Sequence, residues 1–86
     1  MNQRPKFFHS LAASNALGRG DIEFAIFAAG RGLDAQGSVV DQHFIYNTLI
    51  QAYQRLGDVM TTTKYCLAEL TEIPNLSGIL KQEFNT

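Results

Sequence analysis

A three-residue pattern that recurs 37 positions apart constrains the fold of this chain more than any other feature. Gly20-Asp21-Ile22 returns as Gly57-Asp58-Val59, and the apolar residues around the two copies match in character. Glycine readily takes the left-handed conformation in which many helices end, and aspartate is a favoured N-cap. Each copy therefore predicts the end of one helix and the start of the next. A turn this short makes the two helices antiparallel.

The first half of the chain predicts two helices around the first Gly-Asp pair. One runs from about Pro5 to Leu17, because proline suits a first helical position, where its missing N–H would be unpaired anyway. The second begins after Asp21 as its N-cap. Apolar residues at helical spacing mark the expected buried stripes. They are Phe8, Leu11, Ala12 and Ala16 on the first helix, and Ile22, Ala25, Ile26, Ala29 and Leu33 on the second.

The second half predicts two longer helices and a short last one. The third helix runs from about Val39 or Asp41 to Leu56, with Ser38 and Asp41 as a variant of the capping box. The fourth follows its N-cap Asp58 and ends before Pro74, and a final helix covers about residues 76–84. The expected apolar positions are Ile45, Leu49, Ala52, Tyr53 and Leu56 on the third helix, and Val59, Cys66, Leu67 and Leu70 on the fourth.

These elements predict an all-α fold of two stacked antiparallel helix hairpins plus a short C-terminal helix. The hairpins cover about residues 5–33 and 39–72, in a single domain of 86 residues. A lone hairpin cannot bury its apolar face, whereas a second hairpin stacked on it can.

The second hairpin resembles the tetratricopeptide repeat family and its relative, the pentatricopeptide repeat. Tyr46, Leu49, Tyr53 and Gly57 have the spacing of that family's aromatic, large apolar and turn positions, and Pro74 fits its closing proline. In the first hairpin, Ala13, Ala25 and Gly32 stand where the family has small residues that let helices approach closely.

The resemblance implies a binding groove lined by the first helix of each hairpin. In this family such grooves hold a peptide or protein partner, so we expect an adaptor, chaperone or complex subunit with no catalytic residues. The expected partner-binding residues are Phe7, Ser10 and Ser14 in the first hairpin and Phe44, Asn47, Gln51, Gln54 and Arg55 in the second. Amides and hydroxyls would bind a partner's backbone, and the two phenylalanines would supply apolar anchors.

The pentatricopeptide likeness offers an alternative, the binding of single-stranded RNA. Ser10 and Asn47 match the position with which that family reads bases. The formal net charge of −1 disfavours this alternative, since phosphate binding usually requires a basic excess. Arg19-Gly20-Asp21 also spells an adhesion tripeptide, but Leu56-Gly57-Asp58 at the matching place favours a turn and cap instead.

Other classes of function find little support in the residues. His9 and His43 lie in opposite halves, no glycine-framed nucleophile is present, and we expect no metal site, no cofactor and no enzyme activity. The single Cys66 cannot form an internal disulfide, which favours a reducing, cytoplasmic setting. No apolar run is long enough to span a membrane. Six phenylalanines in so short a chain raise the further possibility of a homodimer.

Overall fold

The computed structural model describes residues 4–73, which form four α-helices and, within that range, no strand. The fold is all-α, as the sequence predicts. The helices are α1 (Lys6–Gly18), α2 (Ile22–Gly32), α3 (Val39–Arg55) and α4 (Val59–Glu72). Pro5 lies one residue before its predicted place, at the N-cap of α1. The helix expected at 76–84 lies outside the described residues.

The two Gly-Asp turns have the same backbone geometry. Gly20 and Gly57 both take positive φ angles, of 82° and 75°. In each turn the N–H of the following aspartate donates to a carbonyl five residues earlier, at 2.9 Å for Asp21 and 3.0 Å for Asp58. This is the hydrogen bond of a Schellman C-cap, which satisfies the last carbonyls of a helix. The chain therefore reverses at both places that the repeat predicts.

Side-chain caps start the helices that follow. Asp21 Oδ1 accepts from the Phe24 N–H at 3.2 Å, and Asp58 Oδ1 accepts from the Thr61 N–H at 3.0 Å. Ser38 caps α3 by accepting from the N–H of Asp41 at 3.0 Å, as predicted. Each cap satisfies a donor of the first turn that no helix carbonyl can reach.

The second hairpin packs on the first through α3. This helix contacts both α1 and α2, whereas α4 contacts only α3 among the four described helices. The core is built mostly from alanines of the first hairpin and larger residues of α3. Its buried members are Ala13, Ala16, Leu17, Ala25, Ala28 and Ala29 facing Ile45, Leu49 and Ala52.

Small residues let the helices approach closely, as the sequence predicts. Ala13 and Ala25 are fully buried. At Gly32 an added Cβ would lie 2.7 Å from the Cβ of His9 and 2.7 Å from Cδ1 of Ile45. Contacts that short are not tolerated, so the close packing of α1, α2 and α3 at this point depends on glycine.

Lys6 is buried at the junction of α1, α2 and α3, which the sequence did not indicate. Its Nζ donates to the carbonyl oxygens of Gly32 at 2.6 Å and Leu33 at 2.8 Å, and to the side-chain oxygen of Gln42. The ammonium thus caps the C-terminal end of α2 and joins it to α3. Burial lowers the pKa of Lys6, and neighbouring carboxylates, Asp34 foremost, oppose that shift.

Three of the predicted apolar stripes are partly wrong. On α1, Phe8 and Leu11 are exposed and Ala13 takes their place in the core. Leu56 at the end of α3 is exposed as well. On α4 the expected apolar positions Val59, Leu67 and Leu70 are 59–74% exposed, and Cys66 is only half-buried. The common reason is that no described helix covers these faces.

Polar and aromatic contacts hold α4 against α3 in place of an apolar seam. His43 Nδ1 lies 2.6 Å from Glu69 Oε2, and the Tyr46 hydroxyl donates to the Glu72 carboxylate. The ring of Tyr65 stacks on the ring of Tyr53 in α3, with the ring centroids 5.9 Å apart. Burial, together with the Glu72 carboxylate, raises the pKa of Tyr46. None of residues 59–72 is fully buried.

Candidate partner-binding groove

A groove of about 530 Å³ runs between α1 and α3 on one side of the stack. Its walls are side chains that recur every three or four positions on each helix, which is the spacing of one helix face. From α1 it is lined by Phe7, Ser10, Leu11, Ser14, Leu17 and Gly18, and from α3 by Asp41, Phe44, Asn47, Thr48, Gln51 and Arg55.

The groove brings together seven of the eight residues expected to bind a partner. Phe7, Ser10 and Ser14 of α1 face Phe44, Asn47, Gln51 and Arg55 of α3. The eighth, Gln54, is exposed and does not line the groove. It precedes Arg55, and an α-helix turns by about 100° per residue, so the two side chains leave α3 in different directions.

The two ends of the groove differ in chemistry. At one end Phe7 and Phe44, which are equivalent under the 37-residue repeat, expose about half of their surface. At the other end the Arg55 guanidinium donates from Nη1 to the carbonyl oxygen of Leu17 at 3.0 Å. This bond ties the last turns of α1 and α3 together, so it fixes the width of the groove there.

The floor and the rim carry different polar groups. Ser10 and Thr48 are buried, so they form the floor. Asn47 and Gln51 lie above them, and neither amide side chain hydrogen-bonds to a group within residues 4–73. A primary amide both donates and accepts, so such a pair suits the backbone of a bound segment.

The spacing of the repeat family also places Leu17 and Gly18 at the groove, so three residues of its wall were missed by sequence reasoning. The apolar spacing of α1 predicts Leu11 in the core, and the spacing of the repeat family does not include Asp41 or Thr48 among the partner-binding residues. Leu11 follows Phe7 by four positions, and Asp41 precedes Phe44 by three, so the helical spacing of the groove residues was the signal that could have found them.

Within residues 4–73, no group of three or more His, Cys, Asp or Glu side chains is arranged to hold a metal ion. In the same part of the chain, no helix is both long enough and apolar enough to cross a membrane.

The chain has a distant relative among known proteins. A protein of Aquifex aeolicus (strain VF5), described as an uncharacterized protein, is 31% identical over 77 residues. The match covers 90% of this chain but only 38% of that relative, so the chain spans well under half of the relative's length. No protein-family profile matches the chain. No solved structure matches it either.

Proposed function

We propose that this chain is a non-catalytic protein–protein interaction module, a tetratricopeptide-like pair of hairpins that acts as an adaptor, chaperone or complex subunit. The bound partner is a peptide or helix that lies in the groove between α1 and α3. One observation carries the proposal: residues 37 positions apart supply matching apolar anchors, Phe7 and Phe44, on facing helices of one groove.

The composition of the groove supports a peptide as its occupant. Its volume of about 530 Å³ falls in the range of pockets that hold a few side chains of a ligand. Exposed phenylalanines can take up an apolar side chain of the partner, while Asn47 and Gln51 bind its backbone. Arg55 is already bound to Leu17, and Asp41 lies at the same groove, so the walls do not favour an anionic partner.

The test begins with a photoreactive residue placed at Gln51 and, as a control, at exposed Gln36 in the loop between α2 and α3. Crosslinks formed in a native extract from Gln51 but not from Gln36 identify the partner segment by mass spectrometry. A synthetic peptide of that segment is then titrated against the purified chain.

We expect Phe44→Ala to weaken binding of that peptide by about tenfold or more, as for an anchor residue. Asn47→Ala should weaken binding of the peptide severalfold. Asn15→Ala, an exposed amide on α1 outside the groove, should leave the affinity unchanged. Equal affinities for all three variants would contradict the proposal.

Absence of catalysis and a cytoplasmic location belong to the same proposal. Cys66 is a free thiol, which suits a reducing compartment. Three side chains of the types found in catalytic triads have structural contacts: Ser38 and Asp41 hydrogen-bond to each other at the start of α3, and His43 pairs with Glu69. Localisation of a tagged chain by cell fractionation would test the compartment.

Single-stranded RNA is the second candidate, because Ser10 and Asn47 line the same groove. Two observations disfavour it. Ser10 is buried, which limits its access to a base. The chain has 7 basic against 8 acidic residues, so it could neutralise few phosphates. RNA binding would appear as an affinity for single-stranded oligonucleotides that falls steeply with salt and is lost in Asn47→Ala. No binding at low salt would remove this candidate.

A further inference from the structure

A second cavity, of about 520 Å³, lies on the side of the first hairpin turned away from α3. We call it the outer face. Its apolar wall includes Phe8 and Ala12 from α1 and Phe24 and Phe27 from α2. The three phenylalanine side chains are 42–59% exposed. Exposed aromatic rings clustered in a concave surface are typical of a binding site.

The 37-residue repeat indicates what the outer face is shaped to receive. Phe8 is equivalent to Ile45, and Ala12 is equivalent to Leu49. In α3, Ile45 and Leu49 are 0% and 1% exposed because that face packs against the helices of the first hairpin. The same face of α1 is therefore built for packing against helices, and no described helix covers it.

Two cations frame the apolar wall. The guanidinium carbon of Arg4 lies 4.3 Å from the ring centroid of Phe8, and that of Arg31 lies 5.7 Å from the ring centroid of Phe27. Within residues 4–73 neither guanidinium has a carboxylate within ion-pair distance. Asp34 is the one acidic residue of the wall, so the outer face carries a net positive charge.

We propose that the outer face binds an acidic amphipathic α-helix of another protein. The apolar stripe of that helix packs on the phenylalanines, and its flanking Glu or Asp residues pair with Arg4 and Arg31. This surface is separate from the groove of the proposed function. A symmetric dimer through the outer face is disfavoured, because a two-fold axis brings the same patch, with its cations, against itself.

The test uses two fluorescein-labelled designed peptides of about 18 residues, which is five helical turns. Both carry the same leucine stripe, flanked by Glu in one peptide and by Lys in the other. Fluorescence anisotropy with the full chain measures binding. We expect the Glu peptide to bind at least fivefold more tightly than the Lys peptide, which corresponds to about 1 kcal/mol, and the difference to shrink as salt rises.

Substitutions then locate the binding site. Phe27→Ala should weaken binding of the Glu peptide by about tenfold. Arg31→Glu should weaken binding of the Glu peptide severalfold and strengthen binding of the Lys peptide. Arg19→Glu is the control, because Arg19 is an exposed arginine in the turn between α1 and α2, and it should change neither affinity. Phe44→Ala should leave binding unchanged, which separates this surface from the groove. Melting curves of each variant establish that it is folded.

Three results would overturn the proposal. The first is equal affinity for the two peptides, and the second is loss of binding in Phe44→Ala with none in Phe27→Ala. The third is sedimentation showing a dimer that Phe27→Asp converts to monomer, since the occupant would then be a second copy of the chain.

Discussion

The ammonium of Lys6 donates a 2.6 Å hydrogen bond to the carbonyl oxygen of Gly32 at the end of α2. The two residues are 26 positions apart, so this bond joins the start of one helix to the end of the next. A positive charge at a helix C-terminus is favourable, and here it also satisfies carbonyls that the helix leaves unpaired.

We predict that Lys6→Met strongly destabilises the chain. The substitution keeps an unbranched side chain but leaves the carbonyls of Gly32 and Leu33 without their donor, at a cost of about 1–3 kcal/mol. Urea unfolding followed by circular dichroism measures the loss. Lys64→Met, at an exposed lysine of α4, is the control and should change stability by less than about 0.5 kcal/mol.

Gly32 and Gly30 offer a matched pair of substitutions in the same helix. Gly32→Ala introduces a Cβ at 2.7 Å from His9 and Ile45, so we expect destabilisation of about 1–3 kcal/mol. Gly30→Ala meets no atom within 4 Å and gains helix propensity, so it should be neutral or stabilising by up to about 1 kcal/mol. Equal effects of the two on the unfolding free energy would show that the helices are not in close contact here.

The caps Asp21 and Asp58 should respond in parallel. Replacement of either by Ala should lower the Tm by at least about 4 °C, whereas replacement by Asn, a comparable N-cap, should lower it much less. Backbone and side-chain hydrogen bonds from Thr61 lower the pKa of Asp58. The stabilisation that the charged Asp58 gives the folded chain is therefore fully present above its ordinary pKa of 3.8. It is lost as the pH falls through the lower pKa that Asp58 has in the folded chain. Unchanged Tm in both Ala variants would contradict the two-turn fold.

His9 predicts a loss of stability on mild acidification. Burial first, and then the charges of Arg31, Arg4 and Lys6, lower its pKa from 6.5. The imidazole of His9 therefore binds a proton more readily in the unfolded chain than in the folded chain. The free energy of unfolding should not depend on His9 well above pH 6.5, and it should fall as the pH drops below that value. Urea titrations from pH 7 to about pH 5 should show this slope, and His9→Gln should reduce it.

The α4 helix should open more readily than the other three. It contacts α3 alone among the described helices and has no fully buried residue. Native-state hydrogen exchange should find its central amides exchanging faster than those of α3. Tyr46→Phe removes the hydrogen bond to Glu72 and should accelerate exchange in α4 while leaving α1 and α2 unchanged. Protection of α4 equal to that of α3 would contradict this order.

Features that depend on neighbours along the chain could be predicted from the amino-acid sequence. The helix ends at Gly20 and Gly57 and the caps at Asp21, Ser38 and Asp58 rest on hydrogen bonds between residues at most five positions apart. Such bonds can be inferred from residue type and spacing. The spacing of the repeat family also led to eight expected partner-binding residues, of which seven line one groove, and their role in binding stays a prediction.

Which helix faces are buried, in contrast, follows from the packing of the helices and could not be predicted from the sequence. Phe8 and Ile45 are equivalent in the repeat, yet Phe8 is exposed and Ile45 is fully buried. The Ile45 face of α3 packs on the first hairpin, whereas no described helix packs on the matching face of α1. Likewise Lys6 is buried because carbonyls at the end of α2 surround its ammonium. Burial depends on contacts between residues distant in sequence, which periodicity along a single helix does not report.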